Sequence, residues 1–219
     1  MGLLIWVYSH IIRSNQVNLG GIKMIRIGLT GGIASGKSTA ANLLKEMGLP
    51  VINLDKISRE IMKKGTPGYR EVLSTFGQTI LKEGKKIDRK KLGKLIFENP
   101  TMRKKLETIT HPLILKRMEE KISQFEEEGA KVVIVEVPLL IETDLMDKFD
   151  QIWLVYVDDG TQIERLMKRD NLSREEAILR LNAQIPLEDK KAYADQVITN
   201  HGNIEDLKEQ LNKLWREIK

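Results

Sequence analysis

Short apolar runs recur along the chain between longer segments that have helical spacing of apolar and charged residues. The five apolar runs cover residues 24–30, 49–54, 131–137, 151–157 and 195–200. Near-continuous hydrophobicity of this kind is typical of parallel strands that are covered on both faces. Strands that alternate with helices predict an α/β fold with a doubly wound five-stranded parallel sheet, in which ligands bind at the carboxyl ends of the strands.

Two long helical segments lie between the predicted strands. Residues 56–128 have helical periodicity that Gly, Pro and Asn interrupt at residues 65–68, 84–88 and 99–100. Residues 161–191 are helical and highly charged, and an amphipathic helix over residues 204–218 closes the chain. We predict a helical insertion at 56–128 that binds an acceptor and a helical lid at 161–191. The remaining core then comprises residues 24–55, 129–160 and 192–219.

The first 23 residues contain an apolar run over residues 2–12. This run is shorter than the about 20 residues that span a bilayer, and it lacks the basic segment and cleavage site of a signal peptide. Gly20 and Gly21 can be encoded by a ribosome-binding sequence, at a suitable distance from a start at Met24. We therefore expect residues 1–23 to be an N-terminal extension that results from a mis-assigned start.

Residues 31–38 match the phosphate-binding loop pattern G-x-x-x-x-G-K-S, between a predicted strand and a helix predicted over residues 39–47. Glycines let the backbone turn tightly, so that its N–H groups and the helix N-terminus point at a polyphosphate. Lys37 is expected to reach the β- and γ-phosphates, and the Ser38 hydroxyl is expected to bind Mg²⁺. The loop residues expected to bind the nucleotide are Gly32, Ala34, Ser35, Gly36, Lys37, Ser38 and Thr39.

Two acidic residues follow or end predicted strands and could serve phosphoryl transfer. Asp55 comes directly after the second strand, where its carboxylate could orient or deprotonate an acceptor hydroxyl, or could simply cap the next helix. Glu136 lies near the end of the third strand and could hold Mg²⁺ directly or through water. A glutamate in an apolar strand is costly without a partner, and the alternative is a solvated side chain at the edge of the sheet.

Arginines are concentrated in the predicted lid. Arg165 and Arg169 lie one helical turn apart, on one face, and Arg174 and Arg180 follow. They could donate paired hydrogen bonds to phosphate oxygens and exclude water from the nucleotide. Alternatively, they could form ion pairs on a surface helix. His111 precedes a proline that is expected to interrupt the helical block, and it could contact an acceptor phosphate or sugar, although a lone histidine is more often structural.

The composition narrows the classes of function. The chain carries a formal net charge of +5, which raises the local concentration of anionic ligands but mostly reflects a lysine-rich surface. Aromatic residues make up only 5% of the sequence and no basic block stands out, which argues against nucleic-acid binding. The absence of cysteine excludes disulfides, thiolate catalysis and cysteine metal sites, and it fits a reducing cytoplasm.

From Met24 almost to the C-terminus, the sequence resembles the dephospho-coenzyme A (dephospho-CoA) kinase family. The segments that carry the resemblance are the phosphate loop with its preceding strand, Asp55, residues 97–112, residues 137–142, Arg165 with residues 169–170, residues 183–184, and residues 194–195 with 197–198 and Asn200. Two positions depart from the family pattern. Ala34 stands where glycine is common, which stiffens the loop slightly, and Asn53-Leu54 replaces a common Asp-Ala, which leaves Asp55 to act alone.

The resemblance implies that ATP phosphorylates the ribose 3′-hydroxyl of dephospho-CoA, with Mg²⁺, in the cytoplasm. It implies that Asp55 orients or deprotonates the hydroxyl, that Lys37, Ser38 and Arg165 stabilise the transferring group, and that Arg169 closes from the lid. Asn200 is then expected near the adenine of ATP. The residues expected to bind dephospho-CoA are Asp55, His111, Pro138, Leu139, Leu140 and Glu142.

Other classes of protein remain as alternatives to this interpretation. Another P-loop small-molecule kinase, such as a nucleoside monophosphate kinase, is the nearest alternative. A nucleotide switch without enzymatic activity is less well supported, because the sequence has neither an Asp-x-x-Gly nor an Asn-Lys-x-Asp motif. We expect a monomer or a small homo-oligomer that binds neither nucleic acid nor membrane.

Overall fold

The structure, a computed structural model, describes residues 23–218 of the chain. The predicted N-terminal extension therefore lies outside the described residues, except for Lys23. Two compact units make up the rest. The first consists of the residues up to Val51 together with those from Glu128 onward, and the second consists of Ile52–Glu127.

Helices separate most of the strands of the main sheet along the chain. The strands are β1 (Ile25–Gly31), β2 (Val51–Asn53), β3 (Leu81–Lys82), β4 (Lys86–Ile87), β5 (Val132–Glu136), β6 (Gln151–Tyr156) and β7 (Gln196–Thr199). The helices are α1 (Lys37–Glu46), α2 (Leu54–Ile61), α3 (Pro67–Phe76), α4 (Arg89–Glu98), α5 (Pro100–Glu127), α6 (Asp159–Asp170), α7 (Arg174–Leu181), α8 (Leu187–Lys190) and α9 (Ile204–Ile218). No helix within residues 23–218 is both long enough and apolar enough to cross a membrane.

The main sheet has five strands in the order β2-β5-β1-β6-β7, which confirms the predicted five-stranded α/β sheet. The central strand β1 runs parallel to β5 on one side and to β6 on the other, and β6 runs parallel to β7. Leu29 of β1 is paired with Glu136 of β5. The carboxyl ends of β1 and β5 therefore meet at one edge of the sheet, and the phosphate loop follows directly from β1.

The core of the first unit is apolar and includes side chains from the sheet and from two helices that flank it. Its fully buried members include Ile27, Leu44, Ile134, Trp153 and Leu211. Burial on both faces explains why the strands could be predicted from hydrophobicity alone.

Helix α1 begins at Lys37, two residues before its predicted start. Gly36 occupies the N-cap position with a φ of 90°, in the left-handed region, and no side chain caps the helix. No described side chain therefore competes with a ligand at the N-terminus of α1, as a helix N-terminus that binds phosphate requires.

The second unit is built from helices α2 to α5 and a two-stranded antiparallel hairpin of β3 and β4. The hairpin overlaps the predicted break over residues 84–88, but its two strands were not predicted. An apolar cluster in the core of this unit contains Tyr69, Val72, Phe76, Ile80, Ile87, Leu92 and Ile109. Asn53 caps α2, because its side chain accepts a hydrogen bond from Lys56 N at 2.7 Å. The interpretation of Asp55 as the N-cap is therefore wrong, since Asp55 lies in the first turn of the helix.

Helix α5 continues through Pro112 for 28 residues. The expectation that the His-Pro pair interrupts the helical block is therefore wrong. A proline removes one backbone hydrogen bond and usually kinks or ends a helix. Here buried residues lie on both sides of it, Ile109 and Thr110 before and Met118 and Ile122 after, so packing of the helix offsets the lost hydrogen bond.

Candidate active site

The phosphate loop fits closely against neighbouring side chains, which explains two of its glycines. A Cβ at Gly32 would lie 2.6 Å from Gln162 Nε2, and a Cβ at Gly36 would overlap the side-chain amide of Asn200. Gly36 also needs its positive φ, which side chains disfavour. A side chain at either position would therefore displace the amide of Gln162 or Asn200 from its place beside the loop.

Three side-chain amides hold the backbone of the loop. Gln162 Nε2 donates to Ile33 O at 2.6 Å, and Ile33 N donates to Gln184 Oε1 at 2.9 Å. Asn200 Nδ2 donates to Ser35 O at 2.8 Å. Because the amides come from three separate segments of the chain, they fix a loop whose own glycines restrain it little.

The role of Gln162 was missed by sequence reasoning, although a glutamine that is 1% exposed in a charged helix is the kind of residue that needs a partner. Gln184 was part of the family resemblance but had no assigned role. Asn200 was expected near the adenine, and its side-chain amide forms a hydrogen bond to the backbone of the phosphate loop. Whether the same residue also approaches the adenine stays a prediction.

Lys37, Ser38 and Glu136 meet at the carboxyl ends of β1 and β5. Lys37 Nζ and Ser38 Oγ both donate to Glu136 Oε1, at 2.8 Å and 2.7 Å. Glu136 is only 3% exposed, so the alternative of a solvated side chain at the edge of the sheet is wrong. A buried carboxylate requires such partners, and Lys37, with three donors, has capacity left for phosphate oxygens.

The donor set at this point fits Mg²⁺. Ser38 and Glu136 offer a hydroxyl and a carboxylate oxygen 2.7 Å apart, and Mg²⁺ prefers such hard oxygen ligands. Among residues 23–218, no group of three or more acidic or histidine side chains could hold a metal. A cation here would therefore depend on water and phosphate for most of its ligands, which is usual for Mg²⁺ in nucleotide sites.

Arg165 lies beside the phosphate loop. Its Nη2 donates to Asn200 O at 2.8 Å, and its Nη1 is 3.9 Å from the position of a Cβ at Gly36. The guanidinium is thus held close to the N-terminus of α1. This is where a cation can neutralise charge on a transferring phosphoryl group.

Arg169 is engaged elsewhere. Its Nε and Nη2 donate to the carboxylate of Asp170 at 2.9 Å and 3.1 Å, and Arg180 Nη1 donates to the same carboxylate at 2.8 Å. The hydrogen bond from Arg169 lowers the pKa of Asp170 below its usual range, against an opposing effect of burial. This pattern is the surface ion-pair network that was the alternative interpretation of these arginines, and the role of Arg169 at ATP stays a prediction.

The loop after β5 contains four of the residues expected to bind the acceptor. Leu139 is 40% exposed, whereas Leu140 is fully buried. A Cβ at Gly28 would lie 2.5 Å from Leu140 Cδ1, so Leu140 packs under β1. Glu142 is turned toward Lys190 on α8, with Oε1 and Nζ 2.5 Å apart. Among these residues, Leu139 has the side chain that is most available to a ligand, and Pro138 is half-buried.

Asp55 and His111 both belong to the second unit, and both are exposed. Arg59 lies four residues after Asp55 on α2, and Arg89 begins α4. Burial lowers the pKa of Arg89, the charge of Arg59 acts in the same direction, and the Asp55 carboxylate opposes them. Two guanidiniums therefore accompany the predicted catalytic carboxylate. Sequence reasoning missed both, although the spacing of Asp55 and Arg59 places them on one face of a helix.

A phosphate loop on the central strand of a five-stranded parallel sheet, with a lysine, a serine and a buried acid at its end, defines a P-loop kinase fold. The chain belongs to the dephospho-CoA kinase family, whose model matches residues 25–206.

Individual relatives agree with this assignment. A dephospho-CoA kinase of Carboxydothermus hydrogenoformans is 46% identical over 193 residues, which cover 88% of this chain and 94% of the relative. A dephospho-CoA kinase of Geobacter metallireducens is 44% identical over 194 residues, covering 89% and 96% of the two chains. The solved structure of dephospho-CoA kinase from Campylobacter jejuni has a TM-score of 0.67 and 33% identity, over 88% of this chain and 96% of that one.

Proposed function

We propose that the chain transfers the γ-phosphoryl group of ATP to the ribose 3′-hydroxyl of dephospho-CoA, giving CoA and ADP in the last step of CoA biosynthesis. The observation that carries this proposal is the convergence of Lys37 and Ser38 on the buried Glu136 in a chain that belongs to the dephospho-CoA kinase family. The first feature supports a nucleotide donor site, and the second supports the identity of the acceptor.

On the donor side, the chain mainly has to position ATP and neutralise charge. The loop of residues 31–38 and the N-terminus of α1 bind the phosphates through backbone N–H groups. Lys37 and Arg165 stabilise the charge that develops on the oxygens of the transferring group. The amides of Gln162, Gln184 and Asn200 keep the loop in place, so no reorganisation is needed when the phosphate arrives.

Mg²⁺ held by Ser38 and Glu136 supplies further neutralisation of the phosphate oxygens when it is bound. Glu136 also orients Lys37 through their 2.8 Å hydrogen bond. The carboxylate thus has two roles, because it limits where the ammonium group can go and offers an oxygen to the cation.

On the acceptor side, Asp55 orients the 3′-hydroxyl and takes its proton. A bond then forms between the 3′-oxygen and the γ-phosphorus, and the bond between that phosphorus and the bridging oxygen of ADP breaks. Arg59 and Arg89 carry positive charge near Asp55, which suits an acceptor that carries its own phosphate groups, as dephospho-CoA does. Residues 56–128 form the acceptor-binding insertion, residues 161–191 form the lid, and the enzyme is a cytoplasmic monomer or small homo-oligomer.

A coupled assay of ADP release tests the proposed function. Purified protein is incubated with ATP and, in separate reactions, dephospho-CoA, adenosine, AMP or shikimate. Dephospho-CoA is expected to give by far the fastest release, and Lys37→Ala is expected to abolish it. Faster release with AMP would instead identify a nucleoside monophosphate kinase.

A further inference from the structure

A lysine and a glutamate form a buried ion pair that the proposed chemistry does not use. The side chain of Lys190 is 0% exposed and that of Glu142 is 18% exposed, and Nζ lies 2.5 Å from Oε1. Lys190 ends α8, and Glu142 lies in the loop after β5. Both belong to the first unit.

The two charged groups have little other support. Within residues 23–218, Lys190 Nζ and both carboxylate oxygens of Glu142 have no hydrogen-bond partner with regular geometry. Removing ions from water is costly, and an ion pair recovers that cost only when additional hydrogen bonds satisfy both groups. The pair is therefore a poor source of stability compared with apolar residues of similar volume. Its location suggests a different contribution.

On the Lys190 side, the pair is linked to the phosphate loop. Leu187, at the start of α8, packs against Leu154 of β6 and against Val157, which follows that strand. It also packs against Gly32, where an added Cβ would lie 3.0 Å from Leu187 Cγ. Helix α8 is thus fixed relative to the donor site.

On the Glu142 side, the pair is linked to residues 137–142, the loop that we propose contacts dephospho-CoA. The buried carboxylate oxygens show that Glu142 is not presented to a ligand in this structure. Lys190 is covered completely and cannot touch a substrate either. Any effect on the substrate must therefore pass through the conformation of the loop.

We propose that Lys190 is a positioning residue, whose ion pair with Glu142 holds the loop of residues 137–142 in the conformation that binds dephospho-CoA. This inference rests on the proposed function. It extends that function, because it assigns the acceptor affinity in part to a residue on α8 that makes no contact with either substrate.

Steady-state kinetics on the full chain test the inference. Lys190→Met keeps an unbranched side chain that is one atom shorter and removes the charge, and Lys190→Arg keeps the charge. Lys190→Met is expected to raise KM for dephospho-CoA about tenfold, while KM for ATP changes less than about twofold. Lys190→Arg is expected to stay within about threefold of the wild type in both constants. Lys191→Met, which removes an adjacent and more exposed ammonium group, is the matched control and should leave KM for dephospho-CoA unchanged.

A double variant separates positioning from stability. Lys190→Met combined with Glu142→Met replaces the ion pair by apolar side chains, which is expected to restore the melting temperature while KM for dephospho-CoA stays high. Recovery of both the melting temperature and KM would overturn the inference. An unchanged KM for dephospho-CoA in Lys190→Met, or an equal rise in both KM values, would overturn it as well.

Hydrogen exchange keeps this test independent of the reaction. Faster amide exchange in residues 137–142 of Lys190→Met, measured without substrates, is expected if the pair holds the loop. Unchanged exchange would overturn the inference. A wild-type protein that does not phosphorylate dephospho-CoA would refute the proposed function instead, so the two failures can be told apart.

Discussion

Ser38 Oγ lies 2.7 Å from Oε1 of Glu136, at the point where the phosphate loop passes the end of β5. This contact joins the residue that is expected to bind the cation to a carboxylate that the sheet buries. It places a hydroxyl, a carboxylate and the ammonium group of Lys37 around one position at the carboxyl edge of the sheet. The donor half of the site that we propose is thus built from side chains of one unit.

Replacing Glu136 tests whether its carboxylate helps to bind Mg²⁺. Glu136→Gln keeps the shape of the side chain but removes the charge that orients Lys37 and attracts Mg²⁺. We expect kcat to fall about 10²-fold and the Mg²⁺ concentration that gives half-maximal activity to rise. Titration of activity with Mg²⁺ measures both. Glu46→Gln, on the exposed end of α1, is the control, and an unchanged Mg²⁺ dependence in Glu136→Gln would contradict a role at the cation.

Replacing Lys37 should affect stability as well as activity. The Lys37 side chain is only 11% exposed and is paired with the side chain of Glu136, which is 4% exposed. Lys37→Ala is expected to abolish transfer, and the loss of a partner for a buried carboxylate should also lower the melting temperature. Combining Lys37→Ala with Glu136→Gln should recover part of that temperature but no activity. A melting temperature equal to that of the wild type in Lys37→Ala would show that the pair contributes nothing to stability.

Ala34 has a backbone conformation that usually requires glycine, at a position where the resembled family commonly has glycine. It has a φ of 58°, in the left-handed region, where a side chain costs roughly 1 kcal/mol relative to glycine. Ala34→Gly is therefore expected to raise the free energy of unfolding by about 0.5 kcal/mol, after the greater chain entropy of glycine in the unfolded state is subtracted. Urea unfolding measures this. Ala41→Gly, within α1, should instead lower the free energy of unfolding by about 1 kcal/mol. A decrease of similar size in Ala34→Gly would show that the backbone at Ala34 is not strained.

Replacing Gln162 tests whether its side-chain amide holds the phosphate loop in place. Gln162→Leu removes the donor to Ile33 O and leaves that carbonyl without its 2.6 Å partner. We expect KM for ATP to rise about tenfold, because the loop is less well held, while KM for dephospho-CoA changes little. An equal rise in both constants, or a fall in melting temperature without any change in KM for ATP, would show that the amide serves folding only.

The ion pairs of Asp170 predict a dependence of stability on pH. Its pKa is lowered in the folded protein, chiefly by the hydrogen bond from Arg169. A lowered pKa stabilises the fold at pH values above the unfolded pKa of about 4, and this contribution disappears as the pH falls through the folded pKa. Asp170→Asn should therefore melt below the wild type at pH 7, and the gap should close below about pH 4. A gap that is independent of pH would contradict the assignment.

The five strands of the main sheet and the phosphate loop could be predicted from the sequence, because their signals are local. The run at residues 151–157 is apolar enough to be identified as a buried strand, and residues 31–38 match a pattern of eight positions. Helix α9 was predicted with its observed limits. The prediction of a helix break at Pro112 was wrong, because contacts with residues distant in sequence keep α5 helical. Local sequence patterns do not reveal such contacts.

Much of the support for the site could not be predicted, because it depends on residues that are far apart in the chain. Gln162 and Ile33 are 129 positions apart, and Asn200 and Ser35 are 165 positions apart. Periodicity identifies the helix that carries Gln162 but not the carbonyl that its amide reaches. The pair of Lys190 and Glu142 was missed for the same reason, since each residue by itself looks like a surface charge.

The identity of the product is the most direct test of the proposed reaction. Wild-type protein, ATP, Mg²⁺ and dephospho-CoA are incubated, and the product is characterised by mass spectrometry and by phosphorus NMR. We predict a new phosphomonoester on the ribose 3′-oxygen, with one ADP formed for each CoA. Release of ADP without formation of CoA, or phosphorylation at any other position, would contradict the account.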